Sequence, residues 1–521
     1  MNTRYMKLIW KMCPPVVLCC ALLFACQSDY LDEEIDGSVS TDSPEERSSD
    51  DSESTPPAET DSEDSASGAD SATEQDTDSD TNELLFPDTD WDVTRIGDMV
   101  FADEQILEYH IVMDEALYEE MLEDGNDEVY REATLTVQGG GADKWFPKVG
   151  LRYKGDYSLH HCWYSGHRVY SGDCAKLSMK IKFNEYYEHA RFDGLKKVSL
   201  HAMSSDGSKM RERLAYQMYS EFGVGVSRTA FAKVYINDEP PVLMLAVEQV
   251  DGRYTARHYT DMDSDGDTDG GDGNLYKEIW PRDTLSEYAV RAALKTNDDS
   301  DDAADVSRFV EFGDAVSSAS AGSFSTDMAP YVELPQLFRY MAVDRAIKNW
   351  DGINAFYWTE RPHNFYWYDD IADTGLFRLI PWDLDNTFPL HDPYMDPVIN
   401  EADTPIPDWN VLPLSCSPVW VWDHSCTVIP PGCDSLINLL AATGWEEFVS
   451  LGNELLDGPF QYSAVESKVS LWEAQLAPLV EEDPFLSVSA WQTQVEELRG
   501  ILQQCIDDFS AHLETGYVVE E

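Results

Sequence analysis

The chain has 521 residues and a formal net charge of −63. That acidic excess excludes nucleic-acid binding through a basic surface, which needs clustered Lys and Arg to displace counterions, and it disfavours adsorption to anionic lipid head groups. Yet 43% of the residues are hydrophobic, with 15 Trp and 26 Tyr, which is ample material for a large core, and the carboxylates suit divalent cations.

Residues 1–26 read as an export signal. Arg4, Lys7 and Lys11 precede an apolar run, Val16 to Phe24, that is too short to span a bilayer comfortably. Its end, Leu23-Phe24-Ala25-Cys26, resembles the lipobox of bacterial lipoproteins, in which the cysteine is acylated and becomes the first mature residue. Lipidation at Cys26 would make the anchor the chain's one membrane contact; plain cleavage near Ala25 is the alternative. Residues 27–83 then change character. Ser, Thr, Asp, Glu, Ala and Pro dominate, aromatics nearly vanish, and like charges repel. Such a segment cannot bury enough apolar surface to offset its ordering entropy, so it reads as a disordered tether.

Folded sequence is expected over 84–521. Strand-like alternation occurs at Leu107 to Met113, Ala133 to Val137, Val149 to Tyr153, Leu177 to Phe183, Lys197 to Leu200, Phe231 to Ile236 and Val242 to Val247. A short helix is expected at Glu115 to Leu122. Longer ones follow at Met210 to Phe222, Leu334 to Lys348, Leu436 to Asp457, Tyr462 to Leu479 and Ser489 to Glu514. Strands fill the first half and helices the second, which predicts a mixed α+β fold with two lobes rather than an alternating α/β sheet. In an exported chain the cysteines read as disulfides: Cys162 with Cys174 around a short loop, and two bonds among Cys416, Cys426, Cys433 and Cys505. A zinc site is the poorer reading, because no C-x-x-C pair is present.

Chemistry concentrates in Asn349-Trp-Asp351-Gly352, His363-Asn364-Phe-Tyr-Trp-Tyr368 and Ile380-Pro-Trp-Asp383-Leu-Asp385. Two carboxylates and an amide sit on turns between apolar runs. Phosphoryl transfer needs that inventory: one carboxylate for the attacking hydroxyl, and hard oxygen ligands for a magnesium-bound nucleotide. Asp and Asn also populate ordinary loops, so spacing alone is weak. Separately, Asp261, Asp263, Asp265, Gly266, Asp267, Asp269 and Asp272 follow the pattern of a Ca²⁺-binding EF-hand loop, with Asp rather than Glu at the last position and no clear flanking helices. A structural calcium loop at 261–272 is expected there; a solvated acidic linker is the alternative.

The chemical segments resemble the spore coat protein H (CotH) kinase family, atypical protein kinases of bacteria and fungi. The resemblance extends upstream through Val149-Gly-Leu-Arg-Tyr-Lys-Gly155, Lys176 to Phe183, Asp206-Gly-Ser-Lys-Met-Arg211-Glu212, Tyr235-Ile-Asn237, Glu248-Gln-Val-Asp251 and Gly273-Asn-Leu-Tyr-Lys277, in family order. It implies a two-lobed, atypical protein-kinase-like fold binding ATP with Mg²⁺ or Mn²⁺. By position, it makes Asp351 the catalytic-loop carboxylate, Asp383 the metal-binding aspartate and Asn364 a second ligand, while Asp385 either supports the metal or braces the turn. Lys180 or Lys182 is favoured for phosphate contact, with Lys176 on the same strand face; Arg152 and Lys154 are further candidates. Either Arg211 or Glu212 would pair with the lysine, and Glu248 lies near the nucleotide or stabilises a hinge. The chain departs from the pattern in the longer gap between Asp351 and His363, which includes 358–362, and in Asp156 and Asp238 where the family has Asn and Gly.

Three functions follow as expectations. The first is a kinase acting on Ser or Thr hydroxyls of surface or secreted proteins, with another phosphoryl donor or action before export allowed, because ATP is scarce outside the cytoplasm. The second is an inactive kinase-fold surface module that binds a protein or carbohydrate. The third is a structural coat or adhesin protein using the calcium loop.

Overall fold

Val, Ile and aromatic residues alternate with polar ones along the first half of the chain, and a surface with that period must close on itself or be covered. In the computed structural model, which describes residues 86, 91–103, 105–164, 167–259, 273–282, 284–297, 304–357, 361–370, 374–389, 406–421 and 426–521, it does both. The main strands are β1 (Leu107–Val112), β2 (Arg131–Gly139), β3 (Ala142–Tyr153), β4 (Met179–Lys182), β5 (Lys197–His201), β6 (Thr229–Ile236) and β7 (Val242–Val247). They form a closed barrel in the order β1-β2-β3-β4-β5-β7-β6. Neighbours are antiparallel except where β1 closes the barrel in parallel against β6, Leu107 opposite Ala232.

Helix α1 (Glu115–Asp124) follows β1, and α2 (Arg211–Glu221) and α3 (Gly252–His258) flank β6 and β7. Further on come β8 (Leu275–Lys277), α4 (Ser307–Ser318), α5 (Leu334–Ala346), and the β9 (Phe365–Asp370) and β10 (Leu376–Pro381) hairpin, with β8-β9-β10 as one sheet. Three long helices end the chain: α6 (Ser435–Asp457), α7 (Tyr462–Glu482) and α8 (Val488–His512).

Two apolar cores result, and β6 and β7 serve both. Ala230, Ala232, Val234, Met244 and Ala246 belong to the barrel core. Phe231, Leu243, Leu245 and Val247 belong to the helical core with Leu214, Met218, Phe338, Trp367 and Trp472. Successive side chains on a strand point to opposite faces, so a run apolar on both faces can only be a wall shared by two layers. Phe231 meets Trp472 of α7 edge-on at 5.9 Å. In α6, Gly444 leaves helical geometry (φ −126°, ψ 17°) where Phe338 of α5 presses against it; a Cβ there would lie 1.9 Å from the Phe338 ring.

The elements expected from the sequence form within a few residues of their predicted ends. α3, α4 and the start of β3 went unpredicted. Cys162–Cys174 and Cys416–Cys433 are disulfide-bonded. The further bond expected among Cys426 and Cys505 is not described: Cys505 is buried in the helical core, and the Cys426 side chain lies outside the described residues. The export signal with Cys26, the tether 27–83 and the calcium loop (Asp261, Asp263, Asp265, Asp267, Asp269, Asp272) also lie outside them. Among the described residues no helix is long and apolar enough to cross a membrane.

Lys176, expected on one strand face with Lys180, lies outside the strand. It precedes β4, is buried, and reaches across to the end of α7, where its Nζ lies 3.2 Å from Asp483 Oδ2 and donates to the Leu243 carbonyl at 2.6 Å. The Leu243 N–H donates to the same Asp483 oxygen at 2.9 Å, so one carboxylate ties the barrel to the helices. Removing one partner of a buried pair strands the other charge, which typically costs about 3–5 kcal/mol. Lys176→Ala is therefore expected to lose about that much in urea unfolding; a loss under about 1 kcal/mol would show that the pair does not hold the layers together.

Candidate active site

Asp206 explains why an otherwise uncapped helix begins where it does. Its Oδ2 accepts from the N–H groups of Met210 (2.7 Å) and Arg211 (2.8 Å), and its Oδ1 accepts from Ser208 N (2.8 Å) and Oγ (2.6 Å). The carboxylate satisfies donors that the first turn leaves open and sits at the favourable end of the helix dipole. α2 thus starts at Arg211 and turns Glu212 inward, where it is buried, while Arg211 stays near Asp206. The sequence left Arg211 and Glu212 undecided as the lysine's partner; Glu212 is the one that enters the cluster.

His201, the last residue of β5, joins Glu212 to the barrel. Its Nδ1 lies 2.7 Å from Glu212 Oε1 and its Nε2 lies 2.8 Å from Lys154 Nζ. Lys154 follows the end of β3, its N–H bonded to Ser178 O, and the next residue, Gly155, takes φ 104°, which favours glycine. The Lys154 ammonium also stands 5.7 Å from the centre of the Trp382 ring.

Burial, helped by the Lys154 charge and opposed by Asp383, pushes the His201 pKa down to about 3. Burial likewise pushes the Glu212 carboxyl well above the usual range, with Asp383 adding to the effect and Lys154 opposing it. Glu212 Oε2 is buried without a hydrogen-bond partner.

Asp383 enters from the turn after β10 with φ 51°, and its N–H donates to the Tyr216 hydroxyl at 3.1 Å. Tyr216 lies one helical turn beyond Glu212, so one face of α2 holds both the barrel pair and the acidic turn. One ligand atom each from His201, Glu212 and Asp383 falls within 4.8 Å of the others. Asp385, half-buried, has its carboxyl raised well above the usual range by burial, then by Asp383, Glu212 and Asp351. Asp385 therefore feels the charges of both Asp383 and Asp351.

Side-chain amides join the two turns. Asn386 Nδ2 donates to Asp351 Oδ2 at 2.8 Å, and Asn364 Nδ2 to the Asp351 carbonyl at 2.9 Å. Asn364 has φ 59°; its N–H donates to Glu278 Oε1 and its carbonyl accepts from Trp382 N. Left-handed backbone at residues other than glycine is uncommon and gathers at functional sites.

Under the Asp351 loop lies Asp344 of α5, fully buried. Its carboxylate accepts from Asn349 Nδ2 (2.9 Å), Asn354 Nδ2 (2.8 Å) and the Tyr219 hydroxyl (3.2 Å). Gly352 leaves room for this arrangement, since a Cβ there would lie 2.3 Å from Asn349 Nδ2.

The other candidates lie apart from this cluster or touch it indirectly. Lys180 is buried on β4, opposite Arg152 on one side and Ser199 on the other, and its charge reaches His201. Lys182 pairs with Glu185 at 2.9 Å. The Arg152 guanidinium is bonded to Glu128 and lies 5.2 Å from the Tyr130 ring centre. Glu248 is buried between Arg228 and Arg257, each at 2.7 Å. Burial alone would raise its pKa, but the two guanidiniums outweigh it and hold the carboxyl below the usual range. Both carboxylate oxygens of Glu248 are thus engaged by guanidinium groups.

The sequence reading missed His201, Asp344, Tyr216, Glu278 and Asn386. The available signal was adjacency to quoted segments: His201 directly follows a predicted strand, and Asn386 follows Asp385.

Burial pushes the Asp344 pKa up to about 6, against the lowering effects of Arg345 and its three donors. A carboxyl whose folded pKa lies above its unfolded value of about 3.9 binds its proton more tightly when folded, so it adds stability below about pH 4 that is lost as pH rises to about 6. Asp344→Asn cannot titrate and leaves donors facing donors. It should be less stable than the native chain throughout, by a gap that shrinks by about 2–3 kcal/mol between pH 4 and pH 7. Urea unfolding at both pH values checks this; a gap independent of pH would contradict it.

With this geometry in hand, comparison with known proteins gives three likenesses. Residues 151–505, well over half of the chain, match the family described as CotH kinase protein. Inner spore coat protein H of Bacillus subtilis (strain 168) is 26% identical over 221 residues, which cover 42% of this chain and 56% of that protein, so the match spans little more than half of its length. Among solved structures, the Helicobacter pylori proinflammatory kinase CtkA aligns over 64% of this chain and 94% of its own at 10% identity and a TM-score of 0.26. HipA, in the Shewanella oneidensis MR-1 complex of HipA, HipB and operator DNA, aligns over 72% and 78% at 11% identity and a TM-score of 0.29. Structural likenesses that slight carry no argument about mechanism.

Proposed function

This chain belongs to the CotH kinase family, and on that footing we propose that it is an exported, lipid-anchored kinase that transfers a phosphoryl group from ATP with Mg²⁺ or Mn²⁺ to Ser or Thr hydroxyls of surface or secreted proteins. One observation carries the reading: the Asp351 turn and the Asp383–Asp385 turn are tied together beside a lysine, with Asn386 donating to the Asp351 carboxylate, Asn364 to the Asp351 carbonyl and Trp382 N–H to the Asn364 carbonyl.

The donor set fits a hard divalent cation. Burial and the Asp383 charge raise the proton affinity of both Glu212 and Asp385, and Glu212 Oε2 is buried without a partner. Oxygen-rich, acidic sites of this kind suit Mg²⁺ and Mn²⁺. Asp383 and Asn364 would hold the ion, with Asp385 alongside. When bound, it neutralises charge on the nucleotide phosphates.

The chain's own residues supply the rest. Asp351 orients the acceptor hydroxyl and takes its proton, its Oδ2 fixed by Asn386. Lys154 offers its positive charge to the phosphate oxygens, and Lys180 adds to the local potential. Asp344 shapes the loop that presents Asp351. Catalysis is then positioning and charge stabilisation, with no covalent intermediate on the protein. The kinase-like two-lobed arrangement is the reading that suits two cores sharing one wall.

Export is supported by the signal-like first 26 residues and by the two disulfides, which belong to oxidising compartments. Cys26 would carry the lipid and 27–83 would hold the kinase off the membrane. A Ca²⁺ in the 261–272 loop would stiffen the approach to β8.

Purified protein is expected to transfer radiolabelled phosphate from ATP to a Ser/Thr substrate or to itself only with Mg²⁺ or Mn²⁺, and chelation should abolish transfer. Asp351→Ala should lose about 10²–10⁴-fold in rate while still binding nucleotide. Asp383→Ala should lose both transfer and metal-dependent binding. Equal labelling by all three proteins would overturn these roles.

A further inference from the structure

Hydrogen-bond bookkeeping around His201 fixes where its proton lies. A lysine ammonium has three donors and no acceptor, so Nε2, 2.8 Å from Lys154 Nζ, must accept. A neutral imidazole then carries its proton on Nδ1, which donates to Glu212 Oε1 at 2.7 Å. An imidazolium would place a donor against the ammonium. The ring is buried, and it meets Trp382 edge-on at 6.1 Å, the same ring that faces the Lys154 ammonium. Although His201, Glu212 and Asp383 lie close enough to share a metal ion, both ring nitrogens are already engaged, so these observations favour a bridge over a histidine-ligated metal.

We propose that His201 is a positioning residue, a neutral Nδ1–H imidazole that links Lys154 to Glu212 and so aims the lysine through the ring rather than through a direct ion pair. A neutral bridge has a different effect from a carboxylate. A carboxylate in contact would cancel much of the ammonium's field, whereas an imidazole lone pair orients the ammonium and leaves its charge for an anion. Glu212 acts one step removed, by fixing the ring's tautomer and orientation. Four chain segments meet here: the ends of β3 and β5, the first turn of α2, and Trp382 beside Asp383. The role in phosphate contact rests on the kinase reading above; the proton arrangement does not.

The test combines a spectroscopic and a kinetic arm on the full chain. With ¹⁵N-labelled histidine, long-range ¹H–¹⁵N spectra at pH 7 should show the His201 ring, identified by its loss in His201→Leu, as the Nδ1–H tautomer. An Nε2–H tautomer or an imidazolium overturns the proposal. In the kinetic arm, His201→Leu fills the space and can neither donate nor accept, whereas His201→Gln can do both through its carboxamide. The Leu variant is expected to raise the nucleotide KM by about 10–100-fold, as misplacement of a contacting group does, with His201→Gln recovering a large part of that loss. Equal defects in Leu and Gln would overturn the bridging role. If the Leu variant fails to fold, the tautomer of the native protein still decides the matter, with its resonance assigned through His201→Gln. If the native protein binds no nucleotide, the kinase reading fails while the tautomer result still stands or falls alone.

Discussion

Mutual repulsion among carboxylates is the constraint around which this molecule is built. Asp351, Asp383, Asp385 and Glu212 bring like charges into one partly desolvated region, where burial and the Asp383 charge make Glu212 and Asp385 harder to ionise. Left to itself, such a cluster would spread apart or take up protons. It stays together because its members are fixed through backbone and amide contacts rather than through one another: Tyr216 holds the Asp383 N–H, Asn386 and Asn364 hold Asp351, and Asp206 fixes the start of the helix that carries Glu212. Lys154 and Lys180 bring positive charge from the barrel side.

The barrel and helices explain why those contacts can be rigid. A strand wall shared by two cores, the Lys176–Asp483 tie, and α2 lying with its apolar face in the helical core leave little freedom at the ends of β3 and β5. The left-handed backbone at Asp383 and Asn364 is tolerated because hydrogen bonds and packing over-determine the turns on either side.

Much of this was legible in the sequence. The strand and helix periods placed nearly every long element, and the motif residues Asp351, Asn364 and Asp383 stand in one neighbourhood. What could not be read was pairing between segments far apart in the chain. Which lysine approaches Glu212 depends on how β3 and β5 are bridged by β4, so Lys154 was one candidate among several. Arg211 and Glu212 are adjacent and lie about 100° apart around a helix, and only the packing of α2 decides which turns inward. His201 ends a run apolar enough to look like strand filler, and Asp344 sits inside a helix whose other residues are mostly core. Arg152 and Lys182, attractive as phosphate ligands by type, are bonded to Glu128 and Glu185, carboxylates that no motif marks.

The parallel contact between β1 and β6 has a kinetic consequence. Leu107 pairs with Ala232 across most of the barrel's sequence, so the barrel is sealed by a contact very distant along the chain, a slow kind of step. Until then β1 carries an unpaired edge, and the wall that β6 and β7 give to the helices is incomplete. The ends of β3 and β5 are bridged by β4, but α2, which brings Glu212 to them, packs into the helical core against the wall that β6 and β7 form. A half-made chain therefore has the ingredients of its reactive cluster without their arrangement, so any chemistry they support must await completion of the barrel.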